Sequence, residues 1–134
     1  MSQPQSSMAL DLCVRITQAE YAGDRVAALA LARQAWDVAG DALDRCAAAH
    51  YVARFLADPS DRLHWNKIAL DEAGRAAPDL VAPWLPSLYV NLGRAYEALG
   101  DREAALACYA RARALGLSHD PDGPAELHTV DGSA

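Results

Sequence analysis

Several things are scarce in this 134-residue sequence, and each scarcity excludes something. It holds a single Lys (Lys67), a single Phe (Phe55) and three Cys. No apolar run approaches the roughly 18 residues of a membrane span, and Met1–Ser7 has neither the basic nor the apolar region of a secretory leader. A membrane partner is therefore not expected, and the reading is cytoplasmic. Basic residues number twelve against eighteen acidic ones, for a net charge of −6. Nucleic acid needs a basic stripe, and none is present. Cys13, Cys46 and Cys108 are odd in number and sit irregularly in Ala-rich text, which suits small buried hydrophobes in a reducing compartment better than disulfides. Dinucleotide, phosphate-loop and zinc motifs (G-x-G-x-x-G, Gly-Lys-Ser/Thr, H-E-x-x-H, C-x-x-C) are all missing, so neither an enzyme nor a cofactor is expected.

What is abundant is helix-forming text. Ala occurs thirty times and apolar residues make up 52% of the chain, enough to bury a single core. Four acids (Asp120, Asp122, Glu126 and Asp131) lie in a polar tail, 118–134, which leaves the body, 8–117, nearly neutral. No stretch combines β-branched residues with clean alternation, so the fold class is all-α. Gly23-Asp24, Asp58-Pro59 and Gly100-Asp101 interrupt the helical text, each offering an Asp to cap the next helix. Helices are expected at 8–22, 25–39, 42–57, 60–76, 86–99 and 102–115, after a disordered 1–7 and around a Pro-rich loop at 77–85.

Aligned on these breaks, the chain repeats. Asp24 and Asp58 are 34 residues apart, and small residues follow each cap at the same offset: Ala35, Ala69 and Ala112. In the last hairpin, Tyr89-x2-Leu92-Gly93-x2-Tyr96, Gly100-Asp101 and Ala105-x3-Tyr109-x2-Ala112 together resemble a tetratricopeptide repeat, with Tyr89 in its Trp slot and Tyr109 in its Phe slot. The first repeat (9–42) keeps Gly23-Asp24, Ala28 and Ala35. The middle one (43–76) departs most, with His50, Arg62 and Asn66 in slots that are small or aromatic in the family. The third spans 86–119. The whole chain also resembles small stand-alone tetratricopeptide proteins of actinobacteria, which imply no particular activity.

The resemblance implies a short right-handed α-solenoid of three helical hairpins, about six helices, serving as a non-catalytic adaptor for another protein or peptide. In the family the first helix of each pair lines the concave docking face. Carried onto this sequence, that face is Thr17, Glu20 and Tyr21, then Tyr51, Arg54 and Phe55, then Asn91, Arg94 and Glu97. Relatives that clamp a terminal carboxylate use Lys and Asn from successive repeats, and only Asn91 answers to that set.

Two further constellations arise from the residues themselves. Cys46 and His50, at i and i+4, with His64 on the next helix, have the right types for a metal. The phase is wrong, however, because His64 lies about 200° around its helix from Arg62 and Asn66. No metal is expected. His50, Arg62 and Asn66 instead meet where two helices touch, and an unpaired buried polar group costs about 1–3 kcal/mol. Either they bond one another and fix register, with Asp44 or Asp61 as an acid for Arg62, or they open onto a pocket shared with Tyr51, Trp65 and the Pro78–Pro86 loop. In the second case the site binds a small polar ligand or serves an accessory enzyme with His50 as general base.

A solenoid needs covered ends. After Leu115-Gly116-Leu117 the text offers no further amphipathic helix, so the last hairpin is expected to expose an apolar stripe including Leu106 and Tyr109 or their neighbours. A second copy of the chain, a different partner, or Leu127 and Val130 of the tail could cover it. Tyr109 is also read, with Tyr89, Tyr96 and Leu92, as filling the space that small residues such as Gly93, Ala28, Ala105 and Ala112 leave between helices. Trp36, Trp65 and Trp84 are expected to anchor helix and loop packing.

Overall fold

A computed structural model describes the backbone of residues 4–116 and the side chains of residues 11–116. The acidic tail and its proposed covering residues lie outside the described residues. The chain forms α1 (Pro4–Tyr21), α2 (Arg25–Val38), α3 (Ala42–Phe55), α4 (Pro59–Ala73), a single-turn α5 (Pro78–Val81), a 3-10 turn (Ala82–Trp84), α6 (Leu85–Ala98) and α7 (Arg102–Ala114). The six long helices pack as neighbouring pairs, α1 with α2, α3 with α4 and α6 with α7, and the pairs join through α2–α3 and α4–α6. This is an all-α helical repeat fold, and the described residues contain no strand.

The turns show why the breaks fall where they do. In the first hairpin the Gly23 N–H donates to Glu20 O and the Asp24 N–H donates to Ala19 O, while Asp24 Oδ1 accepts from the Ala27 N–H at 3.0 Å. The Asp backbone thus closes one helix as its carboxylate opens the next. Gly100 and Asp101 repeat this bond for bond, on Glu97, Tyr96 and Ala104. Both turns need φ near +80° (Gly23 80°, Gly100 82°), which a Cβ makes costly. The middle hairpin has no such glycine, and Leu56 leaves α3 in an extended conformation. Its carbonyls are met from another helix: Arg25 Nε donates to Phe55 O (3.2 Å) and Arg25 Nη2 to Leu56 O (3.5 Å). A fourth cap, Asp41 on the Asp44 N–H, opens α3 at 2.8 Å. The Gly40-Asp41 pair announces it in the sequence, a fourth break beside the three of the repeat register.

Small residues let the helices approach. Ala28, Ala32, Ala35, Ala48, Ala49, Ala69, Ala73, Ala105 and Ala112 are all buried, so the axes close on methyl groups while Leu12, Ile16, Val52, Leu88 and Val90 fill the remaining space. Gly93 is the tightest point. A Cβ there would stand 2.5 Å from Tyr109 Cε1. Trp36 and Trp65 meet edge to face at 5.2 Å and tie α2 to α4. Cys46 and Cys108 are buried and Cys13 half-buried, all as free thiols.

Three expectations need correction. Residues 4–7, expected to be disordered, belong to α1, which Pro4 can open because its missing N–H would be unpaired there. The 77–85 segment is helical rather than a plain loop, since Pro78 and Pro83 each take a first-turn position and Asp79 adds an acid to the first turn of α5. Tyr109 does not lie on the exposed stripe: it fills the space beside Gly93, buried, and its hydroxyl donates to Glu97 Oε1. Leu99, Leu106 and Leu115 do remain exposed on the last pair.

Candidate functional site

The departures from the repeat pattern converge. His50, Ala53 and Arg54 of α3, Arg62 and Asn66 of α4, and Asn91, Arg94 and Ala95 of α6 line one cleft of about 350 Å³. Within each helix these residues are three or four apart, or adjacent to one that is, so each helix offers a single side to the cleft. His50 and Asn66 form its floor, at 3% and 5% exposure.

The floor is bonded through α6. Asn66 Nδ2 donates to the backbone oxygen of Asn91 at 3.5 Å, and Asn91 Nδ2 lies 3.5 Å from His50 Nδ1. With the amide as donor, Nδ1 is the lone-pair nitrogen and Nε2 carries the proton. The imidazole is held edge-on to Tyr51 (5.2 Å) and Trp84 (6.0 Å). Asn66 Oδ1 is buried and accepts nothing from the described residues. Such an oxygen costs about 1–3 kcal/mol, so the cleft carries an unmet acceptor.

The rim is basic although the chain is acidic. Arg54 Nε donates to Glu20 Oε2 at 2.8 Å, linking α3 to α1. Arg62 has no carboxylate partner among the described residues, and neither Asp44 nor Asp61 takes the role expected of it. Past Arg54 and Arg62 the cleft runs into a more open depression of about 550 Å³ lined by Glu20, Gly23, Arg25 and Phe55. The continuous surface thus carries Arg25, Arg54, Arg62 and Arg94 against one Glu.

Of the expected concave face, Glu20, Arg54, Asn91 and Arg94 meet on this surface, with Phe55 at its edge but mainly in the core. Thr17 spends its hydroxyl on Cys13 O at 3.0 Å, and Tyr21 stands alone at 95% exposure. Glu97 accepts from Tyr109. Tyr51 lines a different cavity, with Cys13, Asp44 and Trp84, and burial raises its pKa. From the expected pocket, His50, Arg62 and Asn66 come together as read, whereas Trp65 packs against Trp36. Cys46 is a core thiol pushed up to about 12 by burial and by Glu72, and His64 is exposed beside Trp65.

Sequence reasoning missed two contributors. Asn91 belongs to the expected docking face, but its link between Asn66 and His50 has no signal in the sequence, because that contact depends on how α6 sits after the insertion. Arg25 carries no local signal for its long-range capping. Comparison with protein-family models, curated proteins and solved structures returns no match for this chain.

Proposed function

We propose that this chain is a non-catalytic protein-interaction module of the tetratricopeptide type, which takes an acidic, extended segment of another protein in the cleft between α3, α4 and α6. One observation carries the reading: a basic rim, on which Arg62 has no carboxylate partner among the described residues, surrounds the cleft of an otherwise acidic chain. An acidic extended peptide offers that rim carboxylates, first of all for Arg62. His50, buried against Asn91, Tyr51 and Trp84, serves here as part of the cleft floor and not as a general base.

The test is fluorescence anisotropy with a labelled ten-residue Glu/Asp-rich peptide, with melting followed in parallel. Binding should weaken with salt and fall at least tenfold in Arg62→Glu while the melting temperature stays put. Arg54→Ala should weaken capture and Tyr51→Ala should not, because these neighbours face different cavities. Binding indifferent to Arg62→Glu would remove the cleft from consideration. A cleft of this volume also admits a small carboxylic acid, and a purified protein that retains one while ignoring the peptide would favour that second reading.

A further inference from the structure

An acidic, extended segment of the kind proposed for the cleft is present in the chain itself. Residues 118–134 hold four acids, Asp120, Asp122, Glu126 and Asp131, and none of the twelve Lys and Arg. Pro121 and Pro124 oppose a helix in that text and favour an extended run. Charge is thus divided along the chain. Acids without local bases follow α7, while Arg25, Arg54, Arg62 and Arg94 gather around the cleft and the depression it runs into. Other bases have acids at hand: Arg45 meets Glu72 at 3.1 Å, and Arg75 meets Asp71 at 3.1 Å. Arg62, half-exposed on the rim, has no such carboxylate among the described residues.

The tail is long enough to bring its acids there. Joined by the short Gly100 turn, α6 and α7 pack side by side and run in opposite directions, so the end of α7 lies beside the start of α6. Arg94 stands nine residues beyond Leu85, about 14 Å along α6. The cleft lies across α6 from α7, and the axes of packed helices are about 8–10 Å apart. From Gly116 the ten residues to Glu126 span up to about 33 Å when extended. Reach therefore does not limit the contact.

We propose that the chain's own residues 120–126 occupy the cleft, with a tail carboxylate on Arg62, so that an acidic partner has to displace them. The inference rests on the cleft taking an acidic segment. A tethered segment competes at an effective concentration on the order of 1 mM, so a tail held with a dissociation constant of about 0.1 mM weakens capture of an added peptide by about tenfold. The tail thereby selects for partners more acidic than itself.

Lys67 is the single Lys of the sequence, which makes the contact measurable. In the full chain carrying Arg62→Lys and Lys67→Arg, a zero-length carbodiimide joins the one lysine side chain, now on the rim, to a carboxylate that touches it. Digestion and mass spectrometry should find the bond to Asp120, Asp122 or Glu126 in a product of one chain's mass, and excess Glu/Asp-rich peptide should suppress it. Coupling that spares the tail overturns the proposal. A product of two chains' mass overturns it in favour of a neighbouring copy's tail. The second measurement neutralises the tail in the full chain, with Asp120→Asn, Asp122→Asn, Glu126→Gln and Asp131→Asn. That form should bind the labelled Glu/Asp-rich peptide about tenfold more tightly than the unmodified chain, and Arg62→Glu should close the gap. A gap that survives Arg62→Glu reflects net charge alone and overturns the tail's place in the cleft. Equal affinity of the two forms overturns the tail's role while the cleft reading stands. No binding to the neutralised form removes the cleft reading and this proposal with it.

Discussion

The outer helix pairs and the middle pair are closed by different means. In α1–α2 and α6–α7 the turn is made locally, by a left-handed glycine followed by an Asp whose N–H ends one helix and whose carboxylate begins the next. In α3–α4 the end of the first helix is capped by Arg25, thirty residues away, and the helix contact contains His50 and Asn66 in place of small apolar groups. Local closure makes a hairpin that needs little from the rest of the chain. Long-range closure leaves polar groups facing one another across a gap, and that gap is the cleft.

The largest break in this comparison should come from an outer pair. Gly93 has no room for a side chain, since even a Cβ would meet the Tyr109 ring at 2.5 Å and Tyr109 is itself buried. Gly93→Leu should cost about 3 kcal/mol by overpacking, a fall of about 10 °C or more in melting temperature. Thermal melts would settle it. A cost below 1 kcal/mol would mean that Tyr109 swings aside and that the outer pair is not closed by tight approach.

Next in size is the middle pair. His50→Ala should cost about 2 kcal/mol, because it leaves a cavity beside Trp84 and Tyr51 and strands the Asn91 amide. An unchanged melt together with altered peptide capture would mark His50 as a binding group rather than a structural one, and the contrast between pairs would then be functional alone.

Gly23→Ala and Gly100→Ala should each cost about 1 kcal/mol, and by the same amount. At both positions nothing lies within 4 Å of a new Cβ, so the penalty is that of the left-handed backbone and nothing else. Unequal costs, measured by urea denaturation, would show that the two turns differ in some way their identical bonding hides.

How much of this was legible beforehand follows from the same contrast. Helix breaks, caps and the buried small residues Ala35, Ala69 and Ala112 were readable because they depend on local backbone chemistry and on helical period. The meeting of His50, Arg62 and Asn66 was readable as well, since the repeat register fixes facing positions within a pair. What a register within pairs cannot give is the geometry between pairs. Asn91 reaching His50 and Trp84 closing a second cavity depend on how the insertion sets α6 against α3 and α4, and Trp65 turning to Trp36 depends on how α2 sits against α4. Tyr109 filling the space beside Gly93 is legible from the alternation of small and bulky residues in the repeat, and only its place on an exposed stripe fails.

The smallest effect belongs to the long-range cap. Arg25 is exposed, and its guanidinium meets carbonyls at a helix end whose partial negative charge favours a cation there. Arg25→Ala should therefore cost about 0.5 kcal/mol at low ionic strength. Near 1 M salt the Debye length falls to about 3 Å and most of that cost should vanish. Urea denaturation at both salt concentrations reads the difference directly. Arg25→Lys, which keeps the charge but loses the planar fork, should recover only part of it, because two carbonyls from consecutive residues are better met by paired N–H donors than by an ammonium. A salt-independent cost matching that of Gly100→Ala would reverse the ranking. The middle hairpin would then be closed at its turn like the others, with Arg25 standing in for the missing glycine, and the polar floor of the cleft would be left free to serve binding alone.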